Sequence, residues 1–369
     1  LLDPRALYDP LDKAGLQGVL DVRLAGIPAD DLEQQMDQLR QFKQASVLHV
    51  AATDIVAQLP VPKVGDYLTF IAETVLERVL QQAWDHLVAR HGLPGYIRHG
   101  KLREARFGIV GYGKLGGFEL GYGSDLDIVF LHDSSGNEQH TAGPRVIDNN
   151  EFFTRLSQRI IHYLNTYTSA GILYEVDMRL RPNGASGLLV SSLDAFAEYQ
   201  RRSAWTWESQ ALVRARMVAG NKEIVRQFER IRSGVLARPR EALKLHKEVR
   251  EMRYRMRDEL DKSNDRQVDL KQCRGGIVDI EFMVQCGVLL WSDEHSELLG
   301  YTDNLRLLDA FARAGLMPED DAKQLADAYC TIRHHLNHLA LQEQPGVAGH
   351  DVLVEPRTAV AYMWDRFMG

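Results

Sequence analysis

Hydrophobic residues recur with helical spacing over most of the chain. The stretches "DDLEQQMDQLRQFKQASVLHVAATDIVAQL" (30–59) and "YLTFIAETVLERVLQQAWDHLVARHG" (67–92) place apolar residues at i, i+3 and i+4, and the second ends at a glycine. From residue 221 onward one helical pattern follows another, separated by turn signals, and no segment is convincing as a strand. These patterns predict long amphipathic helices in both terminal regions.

Three short segments near the middle of the chain have a different pattern. The segments "FGIVGY" (107–112), "DLDIVFLHD" (125–133) and "ILYEVDMRL" (172–180) are rich in β-branched and aromatic residues and lie next to glycines. They predict strands, and a helical pattern over 149–168 separates the second strand from the third. We therefore predict an α+β, mostly helical fold with a small mixed sheet.

The change of pattern along the chain predicts three parts. An N-terminal helical segment over 1–95 packs on a core with the sheet over 96–220, and an all-α bundle over 221–369 follows. A length of 369 residues with 45% hydrophobic content is enough for two or three domains of this kind. The chain starts without Met and stops at "WDRFMG", so we expect it to be part of a longer protein.

Composition narrows the class of protein. No apolar run approaches the ~20 residues that cross a bilayer, and the first residues lack the features of a signal peptide. The net charge of −7 argues against broad nucleic-acid binding. We expect a cytoplasmic protein without membrane or nucleic-acid partners. Three cysteines without paired spacing fit a reducing compartment and no zinc site: Cys273, Cys286 and Cys330.

A glycine-rich segment follows the first predicted strand. Gly111, Gly113 and Gly116 form a GxGxxG pattern, with Asp133 about twenty residues after the first glycine, as in a dinucleotide-binding turn. That turn needs a full crossover helix, whereas only "GFELGYGS" lies between Gly116 and Asp125, enough for about two helical turns. The segment also lacks the Gly-Lys-Ser/Thr of a P-loop. Neither standard nucleotide motif fits.

Two carboxylates enter the second predicted strand. Asp125 and Asp127 are two residues apart, so in a strand both project to one face, where they repel each other unless a cation lies between them. A divalent metal ion would serve. The alternative is a turn in which Ser124 and Asp125 only cap the backbone. The neighbouring glycines favour the metal, because a backbone without side chains can approach a triphosphate, with Lys114 supplying charge.

The third predicted strand carries an unusual set of charges. In "YEVDMRLRP" the alternation places Glu175, Asp177, Arg179 and Arg181 on one face. A solvated edge strand would also have this composition. Together with the glycines and the two aspartates, the pattern favours a site that binds a metal and phosphates.

The motifs together are similar to one family. "GYGKLGGFELGYGSDLDIVFLHD", "GILYEVDMRLRPNGASG", "AWTWESQALVRAR" and "GGIVDIEF" resemble the glutamine synthetase adenylyltransferase family. Its members contain two nucleotidyltransferase halves of the DNA polymerase beta superfamily. The resemblance implies a polymerase-beta-like nucleotidyltransferase core over 96–220. The motifs resemble the C-terminal half of these proteins, which adds AMP, more closely than the N-terminal half, which removes AMP by phosphorolysis.

The resemblance also implies roles for individual residues. The phosphate-binding glycine pair falls on Gly116 and Gly117, and the metal-binding catalytic carboxylates fall on Asp125, Asp127 and Asp177. Two Mg²⁺ ions, or Mn²⁺ in their place, would stand between these aspartates and ATP. Further contacts to ATP are assigned to side chains with charge or hydrogen-bonding capacity: Lys114, Ser124, Arg179 and Arg181. The two arginines could instead pair with the acids beside them.

The function implied by the resemblance is transfer of AMP from ATP to a tyrosine hydroxyl of glutamine synthetase, with release of pyrophosphate. Such a reaction regulates nitrogen assimilation, and the PII signalling protein and glutamine are the implied regulators. Three alternatives stay open: the AMP-removing half, a non-catalytic PII-binding module and an NAD-dependent oxidoreductase. The three intact aspartates argue against the second alternative.

Several residues to which the resemblance assigns no definite role have more than one interpretation. Trp205 and Trp207 could stack on adenine, although tryptophans in such a setting are more often core residues. Arg214 and Arg216 could be ligand contacts or structural residues. The segment around Gly275–Gly276, with Lys271, Asp279 and Glu281, could contact a nucleotide or glutamine, but helix capping and packing explain it as well. A surface or core role is expected for the histidines of "RHHLNH": His334, His335 and His338.

Overall fold

The computed structural model describes residues 10–28, 30–57 and 59–369. Residues 1–9, with which the predicted segment 1–95 begins, lie outside this description, as does Gln58 in the predicted helix 30–59. The α+β, mostly helical fold is confirmed. Among the described residues, no helix has the length and apolar character that crossing a membrane requires.

Tertiary contacts divide the chain into two compact units. The first comprises the described residues up to Leu120 together with Ser124–Ser203 and Arg216–Ile231. The second comprises Gly121–Gly123, Ala204–Ala215 and Arg232–Gly369. All residues of the predicted metal site belong to the first unit.

Three helices begin the first unit: α1 (Lys13–Leu24), α2 (Leu32–Ala57) and α3 (Val61–His91). The side chain of Asp12 accepts the N–H of Gly15 and so caps α1. The start of α3 lies earlier than the hydrophobic pattern indicates, because a proline in the first turn is compatible with a helix. Its end at Gly92, with φ +77°, agrees with the predicted glycine stop.

The strands of the first unit exceed the three that were predicted. This unit contains β1 (Pro94–Arg98), β2 (Lys101–Glu104), β3 (Phe107–Gly111), α4 (Gly113–Gly116), β4 (Leu126–His132), β5 (Asn137–Thr141), α5 (Asn149–Asn165), β6 (Val176–Asp177), β7 (Val190–Ser192), α6 (Leu193–Arg202) and β8 (Arg216–Gly220). The strands predicted over 107–112 and 125–133 are confirmed as β3 and β4. The strand predicted over 172–180 is wrong for most of its length, since only β6 is extended and a turn begins after it.

The central sheet has the order β6-β4-β3-β8, and β7 also pairs with β4. Strand β3 lies antiparallel to β4, with Phe107 opposite His132 and Gly111 opposite Ile128. It is also antiparallel to β8, whereas β6 and β7 are parallel to β4. Antiparallel pairing of β3 with β4 excludes a dinucleotide-binding unit at the glycine segment, because that unit requires parallel strands.

The second unit is mainly helical. It contains α7 (Thr206–Val213), the end of α8 (Lys222–Leu236), α9 (Ala242–Leu260), β9 (Gln267–Asp269), α10 (Ile277–Trp291), α11 (Asn304–Arg313), α12 (Glu319–Leu341), β10 (Val347–Gly349) and α13 (Val354–Met368). The expectation of no strand after residue 221 is wrong, because β9 and β10 form a short antiparallel ladder. These strands are three residues long and pair across a large sequence separation, so no local periodicity reveals them.

Candidate active site

Three carboxylates converge where β4 and β6 begin their parallel pairing. Asp127 lies in register with Asp177, and the N–H of Leu126 donates to the carbonyl of Glu175 at 2.9 Å. One carboxylate oxygen each from Asp125, Asp127 and Asp177 lies within 4.8 Å of the other two. Asp125 is exposed and the other two aspartates are half-buried. The residues predicted from two separate strands therefore form one acidic cluster.

Backbone geometry beside the cluster depends on Gly113, a glycine that the resemblance did not assign to the site. The N–H of Tyr112 donates to the carbonyl of Asp127 at 2.9 Å. The next residue, Gly113, has φ +53°, and a Cβ there would lie 2.6 Å from Oδ2 of Asp127. Only glycine fits between β3 and this carboxylate without displacing it. Its position in the GxGxxG pattern was the one available signal.

Gly113 begins the short helix α4, and the predicted phosphate-binding pair, Gly116 and Gly117, lies at its other end. The N–H groups of Gly116 and Gly117 donate to the carbonyls of Tyr112 and Gly113, each at 3.0 Å. Both glycines are buried. Their N–H groups are thus hydrogen-bonded inside and at the end of α4 in this conformation. The role of the pair in ATP binding stays a prediction, as do those of Lys114 and Ser124, which are half-buried.

Asp177 ends β6 and organises a turn. Its Oδ1 accepts the backbone N–H of Arg179 at 2.8 Å, and its carboxylate also accepts Nε of Arg179 at 2.8 and 3.1 Å and Nη2 in a close ion pair. The hydrogen bonds from the Arg179 side chain, opposed by partial burial, lower the pKa of Asp177. The arginine side chain is 82% exposed. An Asp that accepts the N–H two residues later favours a turn over a strand.

Arg181 has a different environment. Its guanidinium donates to the carbonyls of Met178 at 2.9 Å, Ala185 at 3.0 Å and Gly187 at 3.3 Å. The prediction that both arginines share a strand face with Asp177 is therefore wrong, because the chain turns after β6. Arg179 pairs with the acid, and Arg181 supports the loop that follows. Residues from both strand ends line a concavity: Asp125, Glu175, Val176, Asp177, Met178, Arg179 and Arg181.

Residues of the second unit with open interpretations have structural partners or lie at the surface. Trp205 and Trp207 are 71% and 37% exposed, so their expected core role is wrong. Asp279 is fully buried, and its carboxylate accepts Nε of Arg253 at 2.7 Å and the N–H of Gly275 at 2.8 Å. This is the capping and packing role considered for that segment. Within the described ranges, the acidic cluster is the one group of three or more metal-binding side chains found, and it includes none of the histidines of α12.

Comparisons with known proteins agree with these observations. The family model of glutamate-ammonia ligase adenylyltransferase matches residues 1–231, and that of GlnD PII-uridylyltransferase matches residues 243–365. The chain is similar to proteins named bifunctional glutamine synthetase adenylyltransferase/adenylyl-removing enzyme. Identity is 54% to the protein of Thioalkalivibrio sulfidiphilus over 100% of this chain, 50% to that of Hahella chejuensis over 99%, and 49% to that of Nitrosococcus oceani over 100%.

The chain spans 38% of the length of each of these relatives. The first family model covers α1 to β8 and hence the whole acidic cluster, and this match extends over more than half of the chain. The chain therefore belongs to the glutamate-ammonia ligase adenylyltransferase family.

Proposed function

We propose that this chain transfers AMP from ATP to a tyrosine hydroxyl of glutamine synthetase and releases pyrophosphate. The observation that carries the proposal is the cluster of three carboxylates, with oxygens within 4.8 Å of one another, beside a glycine turn. The names of the relatives support both the reaction type and the protein substrate. The resemblance of the motifs supports the adenylylating half.

The donor atoms of the cluster fit a hard divalent cation. Carboxylate oxygens are the preferred ligands of Mg²⁺ and Mn²⁺, and three of them in such proximity repel one another without positive charge. We propose that Asp125, Asp127 and Asp177 hold two such ions. When bound, these ions would lower the pKa of an attacking hydroxyl and neutralise the negative charge of the departing pyrophosphate.

The residues of the chain divide the remaining tasks. Asp125 and Asp127 lie beside the glycine segment and would bind the metal ion that accompanies the triphosphate. Asp177 approaches from β6, where its carboxylate can accept the proton of the tyrosine hydroxyl, whose ordinary pKa is about 10. Arg179 is exposed at the mouth of the concavity and can turn from Asp177 to a phosphate. With the hydroxyl oriented in line with the α-phosphorus, AMP is transferred directly as pyrophosphate leaves, and no covalent enzyme intermediate is required.

The second unit is the proposed place of regulation. Residues 243–365 match a PII-uridylyltransferase family model, which supports PII or glutamine as a regulator of this enzyme. The names of the relatives include an adenylyl-removing activity, so phosphorolysis is the second candidate reaction for the same cluster. The three aspartates favour either reaction over a non-catalytic PII-binding module.

The test uses ATP labelled at the α-phosphate and purified, unmodified glutamine synthetase. We expect label on glutamine synthetase and an equal amount of pyrophosphate in solution, and no label on a variant whose acceptor tyrosine is replaced by Phe. The reverse assay supplies adenylylated glutamine synthetase and inorganic phosphate. Release of ADP in that assay, without labelling in the first, would assign the chain to the removing half.

A further inference from the structure

Arg216 connects the glycine segment to the helices beneath it. It is the first residue of β8, and its side chain is 14% exposed. The Nε group donates to the carbonyl of Gly116 at 3.0 Å, and Nη2 donates to the carbonyl of Leu115 at 3.2 Å. The guanidinium also lies 3.6 Å from the ring centre of Phe118. One side chain thus contacts the last two residues of α4 and Phe118 in the segment that follows it.

The helix α4 needs an external partner of this kind. It has four residues, a single turn, so its last carbonyls have no following helical N–H groups as partners. A helix of one turn is also unstable by itself, because nucleation is unfavourable. The planar guanidinium presents several donors in a fixed arrangement and can bond two neighbouring carbonyls at once. Arg216 therefore supplies the donors for the last two carbonyls of α4, beside the backbone hydrogen bonds from Gly117 and Glu119 that close the turn.

Arg216 is itself held by a buried acid. Its guanidinium forms a close ion pair with Glu73 of α3, whose side chain is 5% exposed. The other oxygen of Glu73 accepts Nζ of Lys13 at 2.5 Å. The helix α3 also touches the segment directly, because a Cβ at Gly65 would lie 2.7 Å from the carbonyl oxygen of Phe118. The segment after α4 thus rests on α3 through both a backbone contact and an ion pair.

Stability alone does not explain a buried ion pair at this place. Desolvation of two charges offsets much of their attraction, and apolar residues of similar volume often stabilise a fold as well or better. What apolar residues cannot do is bond two carbonyls in fixed directions. At the opposite end of α4, Gly113 lies against the carboxylate of Asp127. A shift of α4 would therefore move the backbone that packs against a residue of the acidic cluster.

We propose that Arg216, held by Glu73, is a positioning residue that sets α4 against Asp127 and thereby prepares the site for metal and nucleotide. This inference rests on the proposed function for its nucleotide part. The effect of Arg216 on the acidic cluster is indirect. Its guanidinium bonds the carbonyls of Leu115 and Gly116 at one end of α4, and the other end of α4 packs on Asp127. Its replacement should weaken ligand binding more than its effect on stability explains.

The test compares Arg216→Lys with Arg40→Lys in the same unit. Arg40 is fully buried and likewise bonds backbone carbonyls, among them those of Met36 at 2.8 Å and Gly171 at 2.7 Å, and these carbonyls lie outside α4. Calorimetry measures the Kd of Mg·ATP, electron paramagnetic resonance measures Mn²⁺ binding without nucleotide, and a thermal melt gives Tm. We expect both variants to lower Tm, and only Arg216→Lys to raise the two Kd values, by about tenfold.

The variant Glu73→Gln provides a second measurement, because it keeps an acceptor and removes the charge that orients Arg216. We expect it to weaken Mn²⁺ binding about threefold with a smaller change in Tm, and this variant decides the outcome if Arg216→Lys does not fold. Unchanged Kd values in a folded variant would overturn the proposal. Failure of the wild-type chain to bind Mg·ATP would instead contradict the proposed function, and Mn²⁺ binding would still decide the role of Arg216.

Discussion

The two strands that carry the acidic cluster differ in how firmly they hold their carboxylates. Asp127 lies in β4, which pairs with strands along both edges, and all the remaining residues of β4 are buried. Asp177 lies in β6, which is two residues long and leads into a turn. The backbone of Asp127 is bonded to Tyr112, and Gly113 packs against its carboxylate. The carboxylate of Asp177 is bonded mainly to the exposed side chain of Arg179.

This difference matches the two tasks that the cluster would perform. A nucleotide with its metal is the same ligand in every cycle, so a rigid strand can be shaped for it. The hydroxyl of a protein substrate arrives on a large partner, and a carboxylate at a turn can adapt to it. The ion pair with Arg179 is exposed to solvent, so its release costs little free energy. In the proposed function, β4 is the firm side and would hold ATP, and β6 is the adaptable side and would meet the acceptor.

The largest expected effect separates the aspartates by role. Asp125→Asn or Asp127→Asn should abolish Mg·ATP binding and AMP transfer together, with transfer reduced roughly a thousandfold or more, about 4 kcal/mol. Asp177→Asn should retain most of the ATP binding and lose transfer to a similar extent. Calorimetric titration with ATP and label transfer to glutamine synthetase measure the two properties separately.

Asparagine preserves the shape of each side chain, so melting temperatures close to that of the wild type are the control. An Asp177→Asn variant with a near-normal rate of transfer would show that the third carboxylate is misassigned. Glu175, which is exposed beside the cluster and lines the same concavity, would then be tested next.

The free energy of unfolding should depend on pH through His132, the last residue of β4. Burial lowers the pKa of His132 to about 4, despite the nearby charge of Asp148, and its ring stacks on Phe153 at 4.5 Å. Below the ordinary histidine pKa of about 6.5, His132 binds a proton in the unfolded chain. In the folded chain His132 stays unprotonated until the pH falls to about 4. The free energy of unfolding should therefore fall as the pH drops between these values, by up to about 3 kcal/mol.

Denaturant unfolding of the wild type and of His132→Phe over pH 4 to 7 measures this dependence. The Phe variant keeps the aromatic stack and should have a flatter profile across the window. The control is His140→Gln at an exposed position of β5. An equal slope in wild type and His132→Phe would show that other groups carry the acid sensitivity.

A smaller effect should follow from crowding the firm carboxylate. Gly113→Ala introduces a Cβ at 2.6 Å from Oδ2 of Asp127 in a backbone with φ +53°. We expect the Kd of Mn²⁺ to rise roughly 30-fold, about 2 kcal/mol, because Asp127 must move. The matched control is Gly100→Ala, where φ is +70° and no atom lies within 4 Å of the added carbon. Equal Mn²⁺ affinities in the two variants would contradict direct contact as the cause.

The smallest effect is expected on the adaptable side. Arg179→Ala should raise the ATP concentration for half-maximal rate about tenfold, because a charge-assisted contact to phosphate is lost. Since the ion pair is exposed, Tm should change little. Steady-state kinetics with varied ATP provide the measurement. An unchanged dependence on ATP would leave Arg179 as a partner of Asp177 alone, and Arg181→Ala, which removes support from the loop, serves as the comparison for indirect effects.

Strong local patterns allowed much of the fold and part of the site to be predicted. The strands β3 and β4 are continuous apolar runs next to glycines, so both were found within a residue of their ends. The spacing of Asp125 and Asp127 places two carboxylates together in any strand. The third acid, Asp177, was found through its motif, although the strand assigned to it is mostly absent. An Asx turn ends β6 early, and its hydrogen bonds compete with strand alternation.

Residues close together along the chain are sufficient to specify the helical majority, the two long strands of the core and the paired carboxylates of Asp125 and Asp127. The complete fold is needed to bring Asp177 to this pair, to place β8 beside β3, to pack Gly113 on Asp127 and to bring Arg216 to the end of α4. Each of these contacts joins residues that no local period relates. Their free energy comes from pairing and burial across the fold, and such partners become defined only when the chain is folded.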